Sequence, residues 1–156
     1  MIRVAEHSGP RADLRPLFEL AEDSSRELDA YLDTGRVLVA YEGEAPVGHL
    51  QLTETDDAAL LEIKNMAVAE AQQGRGVGRA LVEAAIALAR EEGRSRLVVA
   101  TAAAGTGQLR FYQRLGFRMV SIERDAFTEV TGYEPGLLVD GIELRDRVWL
   151  DRAVGV

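Results

Sequence analysis

At 156 residues, 47% of them hydrophobic and 28% charged, the chain has the size of a single domain over residues 1–156 whose core needs neither disulfide nor metal. With no cysteine and only two histidines, His7 and His49, it excludes disulfides, thiolate-bound zinc, iron–sulfur centres and a Cys nucleophile, and it offers no convincing metal site. Its net charge of −8 argues against a nucleic-acid surface, and without an apolar leader core or any window near the roughly 20 apolar residues of a membrane span, the expectation is a cytoplasmic protein with no membrane partner.

Val4 opens a short predicted strand. From Ala12 to Leu32 the residues Leu14, Leu17, Phe18, Ala21, Leu28, Tyr31 and Leu32 recur at helical spacing, which predicts a helix broken near Ser24. The carboxylates of this stretch, Glu19, Glu22, Asp23, Glu27 and Asp29, read as solvated surface, although the overall acidity mildly favours a cationic small molecule or basic peptide as partner. Arg36–Glu42 reads as a strand, Gly43–Pro46 as a turn and Val47–Thr53 as the antiparallel return. After the polar turn Glu54–Asp57 comes a strand from Ala59 to Val68. Strict alternation puts Leu60, Glu62, Lys64 and Met66 on one face and Leu61, Ile63, Asn65 and Ala67 on the other. A glycine-rich loop leads into an alanine-rich helix from Gly78 to Glu92, stopped by Gly93. Arg96–Thr101 is a β-branched strand; because it follows a strand–loop–helix unit, it should run parallel to Ala59–Val68. A second amphipathic helix, Gln108–Leu115, is closed by Gly116. The last predicted strands, Phe117–Arg124 and Leu137–Leu150, flank an irregular segment with Tyr133, Pro135 and Gly136.

Gln73-Gly74-Arg75-Gly76-Val77-Gly78 sets glycines at alternate positions directly before a helix. Without a Cβ in the way, successive N–H groups can converge on phosphate oxygens, and the helix start adds unpaired N–H groups and the positive end of its dipole. A diphosphate matches that geometry, with Arg75 and Arg79 placed to meet its outlying oxygens. A dinucleotide fingerprint fails here, because Arg79 takes the place of its last glycine and no Asp or Glu lies between Gly93 and Ile122. A P-loop also fails: it needs Gly-Lys-Ser/Thr, and the only lysine, Lys64, lies upstream. A glycine turn that merely joins strand to helix stays open at this point.

Asn65-Met66-Ala67-Val68, then Gln73-x-x-Gly76-x-Gly78, then Phe111-Tyr112-Gln113-Arg114-Leu115-Gly116-Phe117 resembles, in order and spacing, the GNAT superfamily of acyl-CoA-dependent N-acetyltransferases. The likeness covers Val4 to Leu150. It implies a mixed α/β (α+β) fold, a twisted mixed sheet of about six or seven strands flanked by helices, with two central parallel strands splayed to admit the pantetheine arm. It further implies acetyl-CoA as cosubstrate and no metal. The diphosphate would rest on Gln73, Gly74, Arg75, Gly76, Val77, Gly78 and Arg79. The pantetheine amides would pair with the backbone of Met66, Ala67 and Val68, and the Val68 N–H would polarise the thioester carbonyl.

By the same resemblance Tyr112 is the general acid beside the departing thiolate; the alternative is that Phe111 and Tyr112 are neighbouring core aromatics. For the general base, Glu62 leads, His49 is second and a water relay is third. The bland options are a strand carboxylate paired with Lys64 and a histidine satisfied by a backbone group. Two family positions depart from the pattern, Gly105 where an asparagine is common and Ala100 where some relatives carry a glutamate, so those roles do not transfer. Lys64 and Asn65 serve substrate or structure equally. Trp149 reads as sheet packing ahead of an amine-binding aromatic wall, and Phe127, Glu129 and Tyr133 as a substrate-facing loop with an apolar floor and an anionic hook. The implied activity is direct acetyl transfer to a primary amine of a small molecule or peptide, with a homodimer within expectation. The rivals are a noncatalytic acyl-CoA sensor and a transferase using another acyl-CoA or a hydroxyl acceptor.

Overall fold

The computed structural model describes residues 1–155 of the chain, and among these residues runs of β-branched and aliphatic side chains build nine strands. In chain order these are β1 (Ile2–Glu6), β2 (Arg36–Glu42), β3 (Ala45–Glu54), β4 (Leu60–Val68), β5 (Arg96–Ala102), β6 (Arg118–Glu123), β7 (Leu138–Val139), β8 (Ile142–Glu143) and β9 (Arg147–Ala153). The helices are α1 (Arg15–Glu19), α2 (Ser25–Tyr31), α3 (Val77–Glu91) and α4 (Thr106–Arg114). Seven strands form one mixed sheet in the order β1-β2-β3-β4-β5-β9-β6, while β7 and β8 pair separately. Among the main-sheet pairs only β4 and β5 run parallel, as the intervening α3 crossover requires.

Helices cover both faces. The apolar side of α3, with Val77, Leu81, Val82, Ala85, Ile86 and Ala89, packs on Leu38, Leu50, Leu52, Leu61 and Ile63; the complete burial of Leu81 alone contributes on the order of 2 kcal/mol. On the opposite face Leu14, Phe18, Leu28 and Leu32 cover Val37 and Val39. The first predicted helix is two helices. The chain breaks between Leu20 and Ser24, and the Ser24 hydroxyl accepts the Glu27 N–H at 3.2 Å to start α2. Arg11 then donates to the carbonyls of Leu32, Thr34 and Gly35 beyond the end of α2. Gly35 has φ 60° and a Cβ position only 2.0 Å from the Leu52 carbonyl oxygen, so glycine alone fits that turn.

Two irregularities in β4 position the site. Pairing with β5 ends at Ile63 opposite Val99, yet β4 continues to Val68 and β5 to Ala102, so the two parallel strands diverge. On its other edge Gln51 faces Asn65 while Leu52 faces Ile63, which leaves Lys64 as an extra, bulged residue. The bulge reverses the expected alternation. Met66 and Val68 join Leu61 and Ile63 on the α3 side, whereas Asn65 faces α1 and α2, where it bonds the Phe18 carbonyl. Leu137–Leu150 also differs from expectation: it divides into the β7–β8 hairpin and the start of β9. Asp140 and Gly141, with φ 51° and 78°, make the tight turn favoured between hairpin strands. Among the described residues no helix is long and apolar enough to cross a membrane.

Candidate active site

The glycine loop uses its glycines for two reasons. Gly74 and Gly76 adopt φ 77° and 84° with open space at the Cβ position, so their requirement is conformational. Gly78 lies inside α3, and a Cβ there would sit 3.1 Å from the Phe111 ring, so its requirement is room. The helix starts at Val77, one residue earlier than predicted, and its N-cap Gly76 supplies no side-chain acceptor. No capping side chain therefore occupies the first N–H groups of α3, which point along its positive dipole end. The Gln73 amide donates to the Val68 carbonyl at 3.1 Å and ties this loop to the end of β4. Arg75 lies 3.9 Å from Glu42 and 2.8 Å from Gln72, and Arg79 is 2.7 Å from Glu83; both guanidinium groups stay largely exposed.

Where β4 and β5 part, a cavity of about 350 Å³ opens, bounded also by the α1–α2 connection, α4 and the segment leading to β9. Tyr112 reaches it from α4. The residue is 4% exposed, its ring held edge-on against Phe111 and Phe117, and its hydroxyl lies 4.0 Å from Met66 Sδ. Burial pushes the phenol pKa up, so the hydroxyl stays protonated and can donate. Tyr112 thus lines the cavity while packing in the core with Phe111 and Phe117.

Glu62 lines the same cavity from β4. Burial raises its carboxyl pKa, while Lys64 and Arg147 pull it down. Lys64 itself lies over the Tyr31 ring, 4.9 Å from its centroid. The second candidate base is placed elsewhere. His49 is fully buried, stacked on Phe18 at 4.1 Å, with Nε2 2.8 Å from Asn65 Oδ1, and it is not part of the cavity wall. Burial lowers its pKa to about 4 against the opposing Asn65 bond, so the ring is neutral at pH 7. Its polar partner is a side chain, where a backbone group was the bland expectation.

Of the remaining sequence candidates, Met66 faces the cavity, while Ala67 and Val68 complete the strand beside it and lead to the glycine loop. Phe127 and Tyr133 line the cavity edge to face at 4.9 Å, but exposed Glu129 does not. The anionic residue there is Glu22, which sequence reasoning placed on solvated surface: it accepts from the hydroxyls of Tyr31 at 3.0 Å and Tyr133 at 2.8 Å. The break near Ser24 was the available signal, since a connection between helices exposes its side chains to whatever the sheet presents. Trp149 is likewise more than packing. It lines the cavity, and its indole N–H donates to Glu123 at 3.2 Å. Among the described residues no group of three or more His, Cys, Asp or Glu is arranged to hold a metal.

Comparison with known proteins agrees with this geometry. Residues 7–117 match the acetyltransferase (GNAT) family model. The uncharacterized N-acetyltransferase YvbK of Bacillus subtilis (strain 168) is 34% identical over 141 residues, covering 89% of each chain. A Bacillus subtilis acetyltransferase solved in complex with CoA superposes with a TM-score of 0.88 at 31% identity, over 98% of this chain and 99% of that one. A GNAT family acetyltransferase from Elizabethkingia anophelis with acetyl-CoA bound gives a TM-score of 0.88 at 32% identity, covering 97% of both chains. The IAA acetyltransferase of Bacillus cereus ATCC 14579 gives 0.85 at 35% identity, over 97% and 99%. With its sequence motifs, splayed sheet and these relatives in accord, the chain belongs to the GNAT acetyltransferase family and is an acyltransferase acting with acetyl-CoA.

Proposed function

We propose that the protein transfers the acetyl group of acetyl-CoA directly to a primary amine of a small molecule or peptide. The observation that carries this reading is the convergence of Glu62 and Tyr112 on one cavity at the point where β4 and β5 diverge. An amine attacks only when neutral, and a carboxylate whose pKa has been raised toward the working range is suited to take its proton. Glu62 is assigned that role.

The free edge of β4 supplies the second part. Ala69 N–H donates to the Val47 carbonyl at 2.8 Å, which makes that pair hydrogen-bonded and fixes the alternation along the ladder. His49/Ala67 is then also a bonded pair, whereas Leu50/Met66 and Gly48/Val68 are not. The N–H groups of Met66 and Val68 therefore point away from β3, toward the gap left by β5. We assign the Met66–Val68 backbone to the pantetheine amides and the Val68 N–H to the thioester oxygen, where one such donor is worth roughly 3 kcal/mol as charge develops. Gln73 to Arg79 hold the diphosphate through main-chain N–H groups, and Tyr112 donates its proton to the departing sulfur. With no cysteine in the chain, transfer runs without a thioester to the protein.

The test is a panel of primary amines and short peptides with acetyl-CoA, read as thiol release and as product mass. The expected result is amine-dependent release with N-acetylated product for at least one class. Thiol release unaffected by every amine, or acetylation confined to hydroxyl acceptors, contradicts the proposal.

A further inference from the structure

A chain of donors crosses the cavity wall and ends on Glu22. His49 Nε2–H donates to Asn65 Oδ1 at 2.8 Å; Asn65 Nδ2 donates to the Tyr31 hydroxyl at 2.9 Å and to the Phe18 carbonyl at 3.2 Å. The Tyr31 hydroxyl, already accepting from Asn65, has its own proton directed to Glu22 Oε1 at 3.0 Å. Tyr133 donates to Oε2 at 2.8 Å and the Ser24 N–H to the same oxygen at 3.3 Å. Every link points the same way, so the Glu22 carboxyl is held in one orientation.

A carboxylate offers about four acceptor positions. Three are filled here, and the open one is on Oε1 of a residue that lines the cavity. The surroundings favour a positive occupant. Glu22, Asp23 and Glu62 face the cavity with only Lys64 and Arg147 opposing them, and Arg147 is already paired to Glu123 at 3.2 Å. Of the Tyr31, Phe127 and Tyr133 rings on the same wall, Lys64 already lies over Tyr31 and Arg147 over Phe127, each 4.9 Å from the centroid, so Tyr133 is the one not already paired with a cation of the chain.

We propose that Glu22 anchors a second cationic group of the acceptor, making diamines and longer polyamines the preferred substrates: one amine is acetylated at Glu62 while another rests on Glu22 among Tyr31 and Tyr133. This rests on the primary-amine reading above. Because Asn65 neighbours Met66 on β4, the same hydrogen bonds fix the anchor relative to the strand assigned to the thioester.

The experiment compares 1,5-diaminopentane, pentylamine, 5-aminopentanol and 5-aminopentanoate as acceptors for the wild-type protein, then repeats the first two with Glu22→Gln. The wild type should prefer the diamine over pentylamine by at least about tenfold in kcat/KM, the scale of one charge-assisted hydrogen bond, with the anionic acceptor poorest. Glu22→Gln should collapse that ratio to within about threefold, through KM for the diamine and not through kcat. Equal use of diamine and pentylamine, preference for 5-aminopentanoate, or a Glu22→Gln variant that loses both amines in equal proportion overturns the anchor while leaving amine acetylation standing. Failure of all four acceptors and of every amine in the wider panel instead removes the primary-amine reading, and the anchor with it. The wild-type series stands alone if Glu22→Gln does not fold.

Discussion

Glu62→Gln should lower kcat about 100-fold at neutral pH, the usual scale for loss of a positioned base. It also removes the carboxylate inflection from the acidic side of the pH–rate profile. The sign follows from the proposed role: a carboxylate base accepts a proton only when ionised, so activity should be lost as pH falls through the Glu62 pKa. Burial moves that pKa up from the ordinary value of 4.5, against the pull of Lys64 and Arg147, so the wild-type inflection should be displaced upward from that value. Lys64→Met removes one of the two opposing charges and shifts the inflection further up. An unaltered profile in Glu62→Gln assigns the proton to a water relay.

Tyr112→Phe should lower kcat about 100-fold with KM for acetyl-CoA within about twofold, because the proposed role of the lost hydroxyl is on the leaving sulfur and not on the diphosphate or pantetheine. The ring remains edge-on to Phe111 and Phe117. Only the contact with Met66 Sδ is removed, so thermal stability should change little. In the wild type the buried phenol stays protonated through the assay range, so Tyr112 adds no inflection below its ordinary value of 10. Unchanged kcat in Tyr112→Phe would return this residue to a packing role.

Features set by local sequence were legible before the structure. The alternating glycines mark the turn that leads into α3, and the apolar spacing from Gly78 onward declares the buried side of that helix. The crossover rule is enough to orient β5. What stayed hidden depends on contacts distant in the chain. The bulge at Lys64 exists only through the register of β4 on β3, and it decides that Met66, not Asn65, faces Tyr112. Counting by twos from Glu62 gives the right face for Glu62 and the wrong one for everything after Lys64.

His49 shows the same limit. It pairs with Ala67 on the α1 side, behind Asn65, although its strand adjoins β4. Glu22 looked like surface because the hydroxyls that orient it belong to residues 9 and 111 positions away. The β7–β8 hairpin, by contrast, carried a readable Asp140-Gly141 turn signal inside a segment assigned to one strand.

A crystal structure with acetyl-CoA bound locates the diphosphate and the thioester in the protein. The diphosphate should accept from main-chain N–H groups between residues 74 and 79, with the thioester oxygen at the Val68 N–H and the sulfur beside the Tyr112 hydroxyl. A diphosphate bound away from that turn, or held by arginine side chains alone while those N–H groups face elsewhere, is the contradicting result.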